Sequence, residues 1–345
     1  MFMQKLLSIV IPVYKVEDYI NKCLDSLLVP AEQLQLLDVV VVNDGTPDNS
    51  ALMAKEYEKK YPSVFRVIDQ ENRGHGGAWN HGTELAVGKY LFYLDSDDWF
   101  DTDQFSKLIA YLGHCDTDMV LMDRKKYYAQ EDRYEDVVLI NMEPDKVYDA
   151  NVYDWIGSGN GSNITYAHNT VYRTTMMQKY LPLFCEHVMY DDVSLQVIPI
   201  AIAESFVYTK LNVYRYYIGR VGQSFDPQVR AKHGDHVTTV LKFVLAWMKQ
   251  HRNEVPENTT RRAWFDDLWW AFGSCHYEEL SLFPYNMAQP RLKEWDAYML
   301  EEFPDVKVSK TVRDYRQLPF PMYWVKFKVG RQISRVKKYM KRKMK

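Results

Sequence analysis

Lys89–Asp101 reads KYLFYLDSDDWFD. Five apolar residues, Tyr90 to Leu94, run straight into Asp95, Asp97, Asp98 and Asp101. An unbroken apolar run is typical of a strand buried on both faces. Carboxylates at that density repel one another. The stretch therefore predicts a central strand whose carboxyl end collects negative charge for a cation to balance. Carboxylate oxygens are natural ligands of Mg2+ and Mn2+, which keep open positions for phosphate oxygens. A solvated, Asp-rich helix cap is the plainer alternative. Its place at the end of a buried strand favours a site.

Flanking segments supply the rest of that sheet. LLSIVIPVY (Leu6–Tyr14), LDVVVVNDG (Leu37–Gly45), VFRVIDQ (Val64–Gln70) and MVLMDRKKYY (Met119–Tyr128) read as further strands. Between them lie helical patterns: Ile20, Cys23, Leu24, Leu27 and Leu28; PDNSALMAKEYEKKY after Pro47; and GAWNHGTELAVG (Gly77–Gly88), closed by a glycine. Asp101 or Thr102 caps another, carrying Phe105, Leu108, Ile109 and Leu112. Strands alternating with helices predict a mostly parallel, doubly wound α/β sheet of Rossmann-like type. Ligands bind beyond the carboxyl ends of such strands, so parallel strands would bring their polar ends to one edge. Residues 131–225 mix short strands and loops, including GSGNGSN (Gly157–Asn163); residues 226–325 read as a C-terminal helical region. These shifts divide the chain at about residues 130, 225 and 325.

The 345 residues suffice for a sizeable core and predict two domains, and the 47% hydrophobic and 26% charged fractions are those of a soluble globular protein. The aromatic residues, 26 Tyr and nine Trp among them, are mostly accounted for by packing. Cys23, Cys115, Cys185 and Cys275 are scattered, without metal-ligand spacing, which fits reduced thiols in a cytoplasmic setting. The apolar run near the N-terminus is stopped by Pro12 and lacks a small-residue cleavage pattern, so it reads as a first strand and not as a signal peptide. No run reaches the roughly 18 apolar residues of a spanning helix. Net charge is −3, yet Lys326–Lys345 holds ten Lys or Arg and no acid. There Val325, Val329, Ile333, Val336, Met340 and Met344 recur every three or four residues, the pattern of a basic amphipathic helix. This predicts peripheral attachment to an anionic membrane face, with a solvated basic end as the alternative, and not nucleic-acid binding.

The strand ends carry the candidate chemistry. In VVVVNDGTPDNS, Gly45 permits a tight turn, Asp44 would be exposed to accept the imide N–H of a uracil, and Tyr14 on the neighbouring strand offers a face to the base. An ordinary strand-to-helix turn explains the same residues. NRGHGGAWNHG matches half of a GxGxxG dinucleotide fingerprint, but Trp79 occupies the third glycine position; Arg73 in this loop would instead pair with a phosphate. MYDDVSLQV holds a second acidic pair, Asp191 and Asp192, suited to a general base or simply to a helix N-terminus. Arg220, in YYIGRVGQS (Tyr216–Ser224), is a candidate for contacting phosphate or acceptor.

Taken together, SIVIPVYKVEDYINKCLDSLL, VVVVNDGTPDNS and NRGHGGAWNHGTELAVGKYLFYLDSDDWF resemble the N-terminal domain of family 2 glycosyltransferases, of the GT-A fold, over residues 6–105. The resemblance implies an inverting transferase that uses a nucleotide-diphosphate sugar, usually linked to UDP, with Mn2+ or Mg2+. By it, Pro12, Tyr14, Asp44, Arg73, Asp95 and Ser96 bind the donor, and Asp95, Asp97 and Asp98 are the metal candidates. YDDV supplies Asp192 as base, with Asp191 where Glu is usual. Lys15 and Asn43 depart from the common pattern, where Asn and Asp are frequent. No motif names the acceptor; the basic tail, read as a membrane attachment, points to a glycan or lipid-linked hydroxyl in surface or capsular polysaccharide synthesis, at the cytoplasmic face of the membrane. Two other classes compete. A nucleotidyltransferase would be expected to carry a basic, glycine-rich loop after the first strand, and PVYKVEDY has no glycine; a sugar-nucleotide-binding module without catalysis is the other.

Overall fold

A computed structural model describes residues 4–160, 164–220, 223, 229, 233–304 and 308–343, and within the last helix the side chains of residue 333 and of residues from 335 onward are not described. Met1–Ala263 and Trp264–Lys345 form two compact units.

In the first unit the strands are β1 (Leu7–Val13), β2 (Leu37–Asn43), β3 (Phe65–Asp69), β4 (Tyr90–Tyr93), β5 (Trp99–Phe100), β6 (Met119–Tyr128), β7 (Arg133–Val137), β8 (Val147–Asp149), β9 (Thr170–Arg173) and β10 (Ser205–Ile218). They form one sheet in the order β3-β2-β1-β4-β9-β6-β10-β5, with β7 paired to β6 and β8 to β10. The β3-β2-β1-β4 ladders and the β6-β10 ladder are parallel. The sheet is thus mostly parallel among its long strands, as the GT-A expectation requires. β1 is buried along its whole length, and β2 up to its last residue, which is why both are nearly pure runs of Val, Ile and Leu. Asp38 is the exception inside β2; Arg66 Nε at 2.7 Å and Ser8 Oγ at 2.6 Å neutralise and satisfy it.

The sequence pattern did not separate the short strands β5, β7, β8 and β9. β9 runs antiparallel between β4 and β6, pairing with both. It has only four residues, too short for a periodic signal. Two boundaries also differ. The helix read over Gly77–Gly88 spans Gly74–Leu85. Gly88 lies beyond it and is required because a Cβ there would strike the backbone of Leu7 and Ser8. The acidic run does not pass directly into a helix: the two-residue β5 comes first, pairing with β10. Asp101 then caps Thr102–Leu112 by accepting from Gln104 N, as expected.

In the first unit helix Gly234–His251 is followed by a short 3-10 helix, Arg252–Glu254, and helix Thr260–Leu280 begins before Ala263, the last residue of that unit. In the second unit the helices Tyr285–Glu302, Lys310–Gln317 and Phe320–Lys343 follow. Tyr277 donates to Asp296 Oδ1 at 2.5 Å, and Arg316 Nε approaches the same oxygen at 2.7 Å. Along the last helix Met322, Val325 and Val329 are more than half exposed. Ile333, Val336, Met340 and Met344 of the predicted amphipathic pattern lie outside the described side chains, as do Val221, Gly222 and Ser224 of the Tyr216–Ser224 loop and residues 161–163 of the Gly/Asn-rich segment. No described helix is long and apolar enough to cross a membrane.

Candidate functional site

Parallel pairing brings the ends of β1, β2 and β4 to one edge. Tyr14, just past β1, is 44% exposed, while Pro12 is buried within the strand. Asp44, expected at the surface, is buried. Its Oδ1 accepts from Gln70 Nε2 and from Arg73 N, both at 2.7 Å. The loop after β3 folds over the end of β2 and uses that carboxylate to hold its own backbone, a contact that local sequence does not foretell. Asn43, where Asp is common, bridges to Asp69 Oδ1 at 2.8 Å and accepts from Thr46 N.

The glycines of NRGHGG serve packing. Gly74 has φ +75, and added Cβ atoms at Gly74 and Gly76 would meet the backbone of His187 and Cys185. Close approach to the 184–187 segment therefore explains these glycines without a dinucleotide. Arg73, read as a phosphate ligand, forms an ion pair with Glu186.

The carboxylates beyond β4 separate into distinct environments. Asp95 faces two imidazoles: His75 Nε2 at 2.9 Å and His168 Nε2 at 3.4 Å. Burial disfavours its charge, but the hydrogen bonds from His168 and His75 prevail and hold its pKa well below the usual carboxylate range. Ser96 is buried. Asp97 Oδ2 lies 3.0 Å from Arg220 Nε, and burial raises its pKa against that pairing. Asp98 points inward, accepting from Tyr214 Oη at 2.8 Å and Tyr217 N at 2.7 Å. Burial, then Asp97 and Asp95, push its pKa well up. Tyr214 Oη also accepts from Asp95 N at 3.1 Å, so one phenol ties both ends of the acidic turn.

Across the site, Tyr190 holds a left-handed φ of 69 and starts the short helix that begins with Asp191 and Asp192. Asp191 is buried and faces His75 Nδ1 at 2.9 Å. His75 thus sits between Asp191 and Asp95. Burial opposes its protonation, but Asp191 and Asp95 raise its pKa well above the ordinary imidazole value, making it a cation between two anions. It also rests on Trp79, with ring centres 4.0 Å apart. Among the described residues the Asp192 carboxylate meets only its own backbone N–H. Burial, followed by the charges of Asp191 and Asp95, lifts its pKa to about 7, a value poised for proton transfer.

Asp95, Asp98 and His168 offer one ligand atom each within 4.8 Å of one another. Two carboxylates and an imidazole suit a small divalent cation such as Mn2+. Burial, and then the crowding of carboxylates, raises the pKa values of Asp97 and Asp98. The residues fit the metal expected from sequence: Asp95 and Asp98 lie together with His168, while Asp97 pairs with Arg220. His168, an isolated histidine without ligand spacing, and Tyr214, an aromatic residue in an aromatic strand, carry little signal in the sequence. His75 lay inside a quoted motif, but its role needs partners 20 and 116 residues away.

Comparison with known proteins places these features. The family model described as Glycosyl transferase family 2 matches residues 8–181, just over half of the chain. EpsH of Bacillus subtilis (strain 168) is 28% identical over 230 residues, 64% of this chain and 64% of that protein, so the chain spans less than two thirds of this relative. The poly(ribitol-phosphate) beta-glucosyltransferase of Bacillus spizizenii (strain ATCC 23059 / NRRL B-14472 / W23) is 33% identical over 116 residues, 33% of this chain and 18% of that protein. Among solved structures, residues 1–349 of Staphylococcus aureus TarS in complex with UDP superpose with TM-score 0.68 at 17% identity, covering 95% of this chain and 91% of that one. That likeness shows a shared GT-A fold.

Proposed function

The chain belongs to glycosyl transferase family 2, and on that premise we propose that it is an inverting transferase moving a sugar from a nucleotide diphosphate, UDP in our reading, to a hydroxyl of a glycan or lipid-linked acceptor. The observation that carries the proposal is the meeting of Asp95 and Asp191 on either side of His75, which sets Asp192 opposite the acidic end of β4. UDP in the TarS complex supports the nucleotide. The relative named for poly(ribitol-phosphate) supports a cell-surface polymer as the product class. In this reading residues 1–130 form the donor half and 131–225 the acceptor half, 226–325 are helical support, and 326–345 are a membrane-attaching tail at the cytoplasmic face.

Tyr14 stacks on the base, and Asp44 shapes the pocket floor by fixing the loop that carries Arg73. Arg220, beside Asp97, faces the diphosphate. Asp192 takes the proton of the acceptor hydroxyl. The oxygen forms a bond to the anomeric carbon as the bond to the diphosphate breaks on the opposite face, and one displacement inverts the configuration. A positioned base of this kind contributes about 100- to 10,000-fold. Burial first, and then the neighbouring Asp191 held by His75, raise the basicity of Asp192. Asp95, Asp98 and His168 would hold Mn2+ or Mg2+, with Asp97 alongside; such an ion stabilises negative charge growing on the leaving diphosphate.

The test is turnover of a panel of UDP-sugars with and without Mn2+, alongside UDP binding. Asp192→Asn is expected to bind UDP within twofold of the wild type and to lose at least 100-fold in transfer. Full activity in that variant would remove Asp192 from the role. Binding without any turnover across donors and acceptors would favour a non-catalytic sugar-nucleotide-binding protein.

A further inference from the structure

Arg124 lies within β6 and is 7% exposed. Its guanidinium is stacked over the ring of Tyr166, 4.8 Å from the centroid. Nε and Nη1 are buried without a hydrogen-bond partner among the described residues. The neighbouring carboxylate is no counter-ion: Asp123 accepts from Leu139 N at 3.0 Å and from Tyr208 Oη at 2.9 Å, and successive strand residues point to opposite faces. Burial lowers its pKa, opposed by Tyr166, Tyr216 and Tyr214, and its charge also bears on His168. His168 completes the surroundings. Its ring lies 4.5 Å from that of Tyr216 and is stacked at 14° on Tyr166.

An arginine cannot shed its proton to escape such a place. A buried charge without a partner is expensive, so a residue kept there points to a partner that arrives. The guanidinium fork matches an oxyanion of phosphate or carboxylate. The fold indicates which substrate brings it. Tyr14 and Asp44 follow β1 and β2, on one flank of β4; β6 lies on the other flank, with β9 between. The nucleotide and its diphosphate are accounted for on the first flank and at Asp95, Asp97 and Arg220.

We infer that Arg124, framed by Tyr166, His168 and Tyr216, is an acceptor-side anion-binding residue that takes a phosphate or carboxylate oxygen of the acceptor next to the site of transfer. This rests on the transfer reading given above.

Calorimetric titration with glycerol 3-phosphate and, separately, glucuronate, each with and without saturating UDP, tests it on wild type, Arg124→Gln and Arg124→Lys. One of the two probes is expected to bind the wild type, to bind Arg124→Gln at least tenfold more weakly and to bind Arg124→Lys with intermediate strength. The probe that binds names the acceptor's anion. UDP affinity is expected to stay within twofold. Arg124→Gln is expected to melt no lower than wild type without ligand, because it removes an unpaired buried charge; a purely structural arginine would give the opposite. Equal probe binding by all three proteins, binding of neither probe by wild type, or a tenfold loss of UDP affinity in Arg124→Gln would overturn the inference. If no form binds UDP, the transfer reading fails by itself, and the titrations without nucleotide still decide Arg124.

Discussion

His75 Nδ1 lies 2.9 Å from Asp191 Oδ2, joining the start of one helix to a short helix 116 residues later. The other ring nitrogen reaches Asp95 at the same distance. One imidazolium therefore links the candidate donor end and the candidate base end of the site. Removing it as His75→Ala leaves two carboxylates facing each other. The expected cost is about 1–3 kcal/mol, kept modest because the His75 side chain is 35% exposed and solvent screens it. Since folding raises the His75 pKa above 6.5, the bridge contributes fully below that pH and is lost as pH rises through the raised value. Melting temperatures of wild type and His75→Ala should thus converge on the alkaline side. A constant gap up to pH 10 would show that His75 acts through packing on Trp79 alone.

Asp192 gives the opposite pH signature. Its folded pKa of about 7 stands above the ordinary 3.8, so ionising it opposes folding. That penalty is absent below 3.8, grows between the two values and is complete above about 7. Asp192→Asn should therefore melt higher than wild type at pH 8 and about equally at pH 4. The rate of transfer should rise with pH as Asp192 deprotonates, with the midpoint moving below 7 when a cation occupies the neighbouring cluster. A pH-independent rate between pH 5 and 8 would dismiss Asp192 as the base.

The metal candidates can be ranked by calorimetric Mn2+ titration. Asp98→Asn and His168→Gln should each weaken binding at least tenfold, because both residues belong to the compact cluster with Asp95. Asp97→Asn should weaken it less, since Arg220 already neutralises Asp97. The reverse order would restore the set implied by the sequence resemblance, Asp95 with Asp97.

The last helix presents Met322, Val325 and Val329 to solvent, beside Lys326, Lys328 and Arg331. We expect the protein to float with anionic vesicles and not with neutral ones, each basic side chain adding about 1 kcal/mol near the surface. Paired substitutions Met322→Asp and Val329→Asp should abolish most flotation without changing UDP affinity. Undiminished flotation would dismiss this face as an anchor.

What the sequence determined by itself was the sheet and the address of its chemistry. Continuous apolar runs can be buried on both faces only in a covered parallel sheet, and polar residues that end such runs must gather at one edge. Hence β1, β2, β4 and β6, and the acidic turn after β4, were legible from residue type alone. Asp191 and Asp192 were legible as a pair. Their environment was not. Whether a carboxylate binds a cation, pairs with an arginine or takes a proton depends on distances through space, and those fall between residues far apart in the chain. Tertiary structure alone buried Asp44 under the loop after β3, gave Asp97 to Arg220 and inserted His75 between Asp95 and Asp191. It likewise brought His168 to the acidic turn by laying the four-residue β9 between β4 and β6. Coulomb energy and desolvation follow separation and burial, and neither is written in the order of residues.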